Sequence, residues 1–258
     1  MSGNTDLLRI KLLEMYHSAN AGHIACSLSC LDLLHVILLK AKLPKEDFIL
    51  SKGHAALGLY VVLNAAGHIS DEELATFYQD ATKLPAHPAP NAFPEIPFAT
   101  GSLGHGFPIG NGIAKANQLA KNDLRTFVLM SDGETNEGTT WEAAHFAVAH
   151  QLENLIVIID KNNIQGFDIT ENVLGETAHA EKFRLIGFDV EEMDGHNLIE
   201  ISETIEKLSR RKNKKPKMII ANTIKGKGVS FMENTVDWHY WPMSDTLFEK
   251  AMEEIKNS

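Results

Sequence analysis

Residues 126–166, TFVLMSDGETNEGTTWEAAHFAVAHQLENLIVIIDKNNIQG, constrain this chain more than any other stretch. Residues 127–130 and 155–159 are short apolar, β-branched runs bounded by polar turn residues, which predicts two buried strands. Between them Thr139 or Thr140 can cap a helix carrying Trp141, Ala144, Phe146 and Val148. The product is a βαβ unit with a right-handed crossover and parallel strands. Asp132, just past the first strand, and Asn162, just past the second, then emerge side by side at one sheet edge.

Strand-like and helix-like segments alternate from Phe48 to Asn222 with no low-complexity linker and no internal repeat. That predicts an α/β fold, a single doubly wound, mainly parallel sheet with helices on both faces, forming one domain over residues 1–258. A net charge of −10 argues against nucleic-acid binding. No signal pattern opens the chain, and Asp32, His35 and Lys40 interrupt its longest apolar run, so the expectation is a soluble, cytoplasmic protein without a membrane span. Cys26 and Cys30 are the only cysteines and suit buried thiols better than a disulfide or a zinc site.

In chain order, helical spacing predicts a first helix between Asn4 and Ser18, closed by Gly22 in a left-handed conformation, and a second over residues 28–39. His23 falls in the turn between them. A short strand at 48–50 runs into Ser51-Lys52-Gly53-His54 and an apolar helix at 55–66; Ser70 starts a helix ending near Gln79. Five prolines between Pro85 and Pro97 make a stiff surface excursion that carries His87. Closely spaced glycines from Gly101 to Gly106 precede a helix at 109–120. Strands at 188–191 and 218–222 flank a helix at 198–211, and Ser244 caps a last helix reaching Lys256. Seven basic residues between Lys207 and Lys217 are explained by interaction with a helix C-terminus.

The chemistry centres on Asp132 and Asn162. A carboxylate, a carboxamide and the Ile164 carbonyl offer hard oxygen donors suited to Mg²⁺ or Ca²⁺, and Gly133 lets backbone come close to the phosphates of a ligand. A P-loop is excluded because Thr139 stands where its lysine belongs and Asp132, Glu134 and Glu137 would repel an unscreened phosphate. No dinucleotide fingerprint follows a strand, since GSLGHGFPIGNG lacks the required spacing.

Asp132-Gly133, a thirty-residue step and Asn162-Asn163 resemble the thiamin diphosphate motif of transketolases, with Ser131 in place of that motif's first glycine. NAGH at 20–23, SKGH at 51–54, PAHP at 85–88, TGSLGHG at 100–106 and the segment from Thr223 to His239 occur in the family's order. The resemblance implies a diphosphate-binding domain holding thiamin diphosphate through His54, Gly101, Leu103, Gly133, Glu134, Asn162 and His239, with Mg²⁺ on Asp132, Asn162 and Ile164. It further implies catalytic parts for His23, His87, His239 and Glu137 in moving a C2 ketol unit between sugars or sugar phosphates. The family's pyrimidine-binding and C-terminal domains have no counterpart in these residues, so the expected partner is a separately encoded transketolase subunit in an α2β2 assembly. An α subunit of a 2-oxo acid dehydrogenase or decarboxylase, and a non-catalytic metal or phosphate-ligand regulator, stay open as other readings. The resemblance breaks at Tyr240-Trp241-Pro242, where two aromatics replace a small residue and a lysine.

Overall fold

A computed structural model describes residues 5–257. Its elements run α1 (Thr5–Ala19), α2 (Ile24–Val36), β1 (Asp47–Leu50), α3 (Ala56–Ala65), α4 (Asp71–Leu74), α5 (Gly106–Leu119), β2 (Thr126–Ser131), α6 (Gly138–Ala149), β3 (Leu155–Lys161), α7 (Thr170–Leu174), α8 (Ala180–Ile186), β4 (Asp189–Asp194), α9 (Leu198–Arg210), β5 (Lys217–Asn222) and α10 (Asp245–Lys256). The five strands form one sheet in the order β1-β2-β3-β5-β4, every pairing parallel.

Side-chain alternation along these strands builds two cores. Phe127, Leu129, Ile156, Ile158 and Ile219 face α1, α2, α3, α9 and α10, while Val128, Met130, Val157, Ile159 and Ile220 face α5, α6 and α8. All ten are essentially without solvent exposure, so the central strands read as continuous apolar runs, as parallel strands covered on both faces must. The register pairs Ser131 with Asp160, which brings the chain past β2 and the chain past β3 out at the same edge.

Several local expectations are corrected. Gly22 does not close α1; Asn20 (φ 46°) and His23 (φ 69°) take the left-handed conformation instead. Gly22 is needed for space, because a Cβ there would strike the Tyr240 carbonyl. Neither Thr139 nor Thr140 caps α6, whose N-cap is Glu137; both threonines lie in its first turn and donate, to Gly104 O at 3.0 Å and Glu134 O at 2.6 Å. The helix from Ser70 stops at Leu74, well short of Gln79: Ser70 forms the expected capping box, but Tyr78 (φ 62°) turns left-handed after one turn. Ser244 caps α10 as expected, whereas Asn4 lies outside the described residues.

Two charge readings also change. The cations after α9 pair chiefly with acidic side chains, not helix carbonyls: Arg211 with Asp189 and Glu191 at 2.7 and 2.6 Å, and Lys207 with Glu191 at 2.9 Å. α2 continues through a π turn, and Ile24–Ala41 is long and apolar enough to cross a membrane by length and composition, against the expectation from Asp32, His35 and Lys40. Most of it is buried within the fold, and Asp32 is ion-paired to Arg9 and His196.

Candidate active site

At the C-terminal edge of the sheet a cavity of about 310 Å³ opens. The turn before α2 contributes His23 to it, the turn after β1 His54, the proline-rich excursion His87, the turns after β2 and β3 Asp132 and Asn162, and the segment after β5 Lys225 and His239. Residues 108 and more positions apart thus converge because every parallel strand delivers its following turn to one edge.

The four imidazoles form a contiguous group. His23 stands 5.6 Å from His54, 5.8 Å from His87 and 5.2 Å from His239 between ring centroids, and His54 stacks on His239 at 5.3 Å. The left-handed backbone of His23 is held by its N–H donating to His239 O at 3.0 Å, and its buried Nδ1 has no hydrogen-bond partner. Gly101, at φ 140°, leaves room for His87, which a Cβ would meet at 2.8 Å. Burial, reinforced by neighbouring His87, lowers the His23 pKa to about 4; burial with the Lys225 charge lowers His239 to about 3. Burial also depresses His54, next to Lys52, and His87. All four are therefore neutral near pH 7, each offering both a donor and an acceptor.

Asp132 and Asn162 sit beside this group. Asp132 accepts from the Gly133 amide at 2.8 Å, the Asn163 amide at 2.6 Å and the Thr170 hydroxyl at 3.2 Å. Burial, then the charge of Asp160, raises its pKa to about 6 despite those amides. No ion pair to Asp132 is formed among the described residues, so the carboxylate has a shortage of positive charge that a divalent cation would supply. Asn162 Oδ1 accepts from the Ile164 amide at 3.1 Å, and its Nδ2 donates to Ser29 Oγ at 3.0 Å, which turns the oxygen away from the sheet's interior partners. The Ile164 carbonyl accepts from Lys225 Nζ at 3.1 Å, leaving it one lone pair. Gln165 Nε2 is a second buried nitrogen without a partner, and a donor. Hard oxygens with free lone pairs, an uncompensated carboxylate and an orphaned amide donor form a set that fits a metal-bound diphosphate.

Two of the expected residues lie elsewhere. Glu134 does not line the cavity: its carboxylate takes the Ser51 hydroxyl, the Gly104 amide at 3.0 Å and the Ser131 amide at 2.8 Å. It ties the turn after β1, the glycine turn and the end of β2 together. Glu137 caps α6 against Gly104, also outside the cavity lining. Gly101, Leu103 and Gly133 do line it.

Several contributors went unassigned in the sequence. Lys52 is fully buried and paired to Asp160, whose carboxylate also takes the hydroxyls of Ser29 and Thr223. Burial alone would push the two toward neutrality; their mutual attraction keeps Lys52 raised and Asp160 lowered. Lys225 bridges the Ile164 and Gln165 carbonyls and lies 2.8 Å from His239 Nδ1. Cys26 and Cys30 are both buried thiols as expected, and Cys26 also borders the cavity. Tyr240 leans over the opening, its ring 4.5 Å from His239 and 5.5 Å from His23.

Comparison with known proteins places this arrangement in a class. Residues 3–255 match the family described as transketolase, thiamine diphosphate binding domain, and the chain belongs to that family. It is 39% identical over 256 residues to one of the subunits of the apulose-4-phosphate transketolase of Phocaeicola vulgatus, covering 96% of this chain and 90% of that one. A 6-deoxy-6-sulfo-D-fructose transketolase subunit of Clostridium sp. is 33% identical, with 97% and 94% covered. The crystal structure of Campylobacter jejuni transketolase superposes with a TM-score of 0.85 at 30% identity, over 98% of this chain but only 42% of that one.

Proposed function

We propose that this chain is the diphosphate-binding subunit of a two-component transketolase, moving a C2 ketol unit from a ketose or ketose phosphate to an aldose acceptor. The observation that carries this reading is the gathering of four neutral imidazoles around the Asp132 and Asn162 edge in one cavity. Relatives named as transketolase subunits, matched over 90 to 94% of their length, support the two-component form. Their named substrates, apulose 4-phosphate and 6-deoxy-6-sulfo-D-fructose, favour a substituted or unusual sugar here.

Asp132, Asn162 and the Ile164 carbonyl would hold Mg²⁺, or Ca²⁺, with its remaining positions open to water and phosphate oxygens. Gly133, His54, Gly101, Leu103 and Asn162 would form the seat of thiamin diphosphate. When bound, the cofactor supplies the nucleophilic carbon and the electron sink that C–C cleavage requires. His23 and His87 orient the sugar hydroxyls, donating from one ring nitrogen and accepting at the other, while His239 donates, and the three carry protons to and from the hydroxyl and carbonyl oxygens. Lys225, by engaging Nδ1 of His239, leaves the opposite ring nitrogen as the donor. Glu134 acts through the turns it fastens, and Glu137 through its place at the start of α6 beside Gly104. The other half of the site would come from a separately encoded chain carrying the pyrimidine-binding and C-terminal domains, in an α2β2 assembly in the cytoplasm.

The test is reconstitution. The purified chain should bind thiamin diphosphate weakly, show no ketol transfer alone, and gain it on addition of a partner of roughly 300 residues, two ordinary domains. Robust turnover by this polypeptide by itself refutes the two-component reading; cleavage of a 2-oxo acid by the pair refutes ketol transfer.

A further inference from the structure

We propose that His23, Cys26 and His239 form a second metal site, one that takes a soft divalent ion such as Zn²⁺ and blocks the sugar-binding side of the cavity. One ring nitrogen from each histidine and the cysteine sulfur all lie within 4.8 Å of one another. Donors around a tetrahedral zinc, at bond lengths of about 2.0 to 2.3 Å, stand roughly 3.3 to 3.8 Å apart, so small ring rotations bring the three into place. All three side chains line the cavity, which provides an entry path. His23 contributes a buried Nδ1 that no other group satisfies. A water completes the tetrahedron.

Hardness separates this site from the first one. Asp132, Asn162 and Ile164 present only oxygens, which suit Mg²⁺ or Ca²⁺; two imidazoles and a thiol prefer Zn²⁺ or Co²⁺ over both. The cavity would therefore sort two ions without either displacing the other. On binding, zinc forms a bond to the Cys26 sulfur as the thiol proton leaves to the buffer, and each imidazole gives a lone pair; no electron is transferred. Lys225 competes for His239, which limits the affinity. Under the function proposed above, the ion removes two imidazoles meant for the sugar, and inhibition is competitive with the donor. Metal binding itself does not depend on that reading.

Cobalt titration of the full-length chain tests it. The expected result is a saturable thiolate-to-cobalt absorption band in the near ultraviolet, displaced by Zn²⁺. The band should persist in Cys30→Ser and Asp132→Ala and vanish in Cys26→Ser, with Zn²⁺ affinity down more than about 100-fold, beyond the usual cost of losing a supporting group. Absence of any band in the wild type, or an unchanged band in Cys26→Ser, overturns the site. A band lost in Asp132→Ala but kept in Cys26→Ser does so too. In the reconstituted enzyme Zn²⁺ should raise the donor KM, and Cys26→Ser should relieve this; a wild-type band in a chain that no partner activates leaves the metal site standing and overturns the functional reading instead.

Discussion

The two ends of the sheet hold cavities of opposite character. The one at the N-terminal edge is larger, about 880 Å³ against about 310 Å³, and is rich in charge. Its central cation, Arg125, is satisfied within the fold: it binds Glu46 through two nitrogens at 2.6 and 2.7 Å, Ser209 at 2.9 Å and the Ala41 carbonyl at 2.8 Å. Burial acts to raise the Glu46 pKa, and the hydrogen bonds from Arg125 and the Leu43 amide, with the Arg125 charge, together hold it below its ordinary value. At the C-terminal edge a carboxylate lacks a cation and two buried nitrogens lack partners. Size and charge therefore locate this ligand site poorly, and orphaned atoms alone do no better, since Thr126 Oγ1 at the start of β2 and both His35 nitrogens are also buried without partners; what sets the C-terminal edge apart is orphaned nitrogens beside a buried carboxylate that no cation meets.

The comparison breaks most visibly under a crossed pair of substitutions. Asp132→Ala should lower metal-dependent thiamin diphosphate affinity by more than about 100-fold while leaving the urea midpoint unchanged or slightly higher, since it deletes an uncompensated buried carboxylate. Arg125→Met should do the reverse: a loss of about 3 kcal/mol from stranding Glu46, with cofactor affinity intact. Calorimetry and urea titration on both proteins check this, and equal effects on both readouts would erase the distinction between the two ends.

A smaller effect follows from protons. His23 and His239, depressed to about 4 and about 3 when folded, refuse protons that the unfolded chain accepts below its ordinary histidine value near 6.5. Stability from this end therefore rises with pH across that window and is lost as pH falls, by up to about 1.4 kcal/mol per pH unit per histidine. Asp132, raised to about 6, and Glu134, raised by burial, work in the opposite sense but are two groups against the four depressed imidazoles. Urea midpoints measured from about pH 7 down to about pH 5 should fall, and fall less steeply in His239→Asn; parallel slopes would remove the histidines as the cause.

The smallest change expected divides Tyr240 from Trp241. Tyr240 lines the cavity, whereas Trp241 is 57% exposed, its ring edge-to-face with Trp238 at 6.5 Å. Tyr240→Gly should reorder acceptor aldehydes with partner affinity held, and Trp241→Lys should weaken partner binding with the acceptor order held. Reversal of the two outcomes would assign the aromatics the other way round.

The parts legible in the sequence were those that geometry forces. A βαβ unit can place Asp132 and Asn162 in only one relation, and strand alternation in apolar runs reveals the sheet. What stayed hidden depends on long-range partners. Nothing near Lys52 announces Asp160, 108 positions away, and a lysine in a turn looks like an exposed one until the fold buries it. Likewise Glu134 resembles a ligand-facing acid because two of the donors that occupy it, Ser51 and Gly104, arrive from distant segments; only its capping box with Ser131 is local. Gly22 misled for a different reason: glycine serves either an unusual dihedral or a close contact, and only the position of Tyr240 decides which.

Tyr240 presses on a second glycine, Gly166, whose absent side chain is the space its hydroxyl occupies. This makes the two positions historically dependent. With the phenol in this position a side chain at 166 has to push it aside; once the tyrosine shrinks, 166 is released and can carry a group that reaches the mouth of the cavity. A directed-evolution library changing the sugar preference should therefore gain more from randomising 240 and 166 together than from randomising 166 alone.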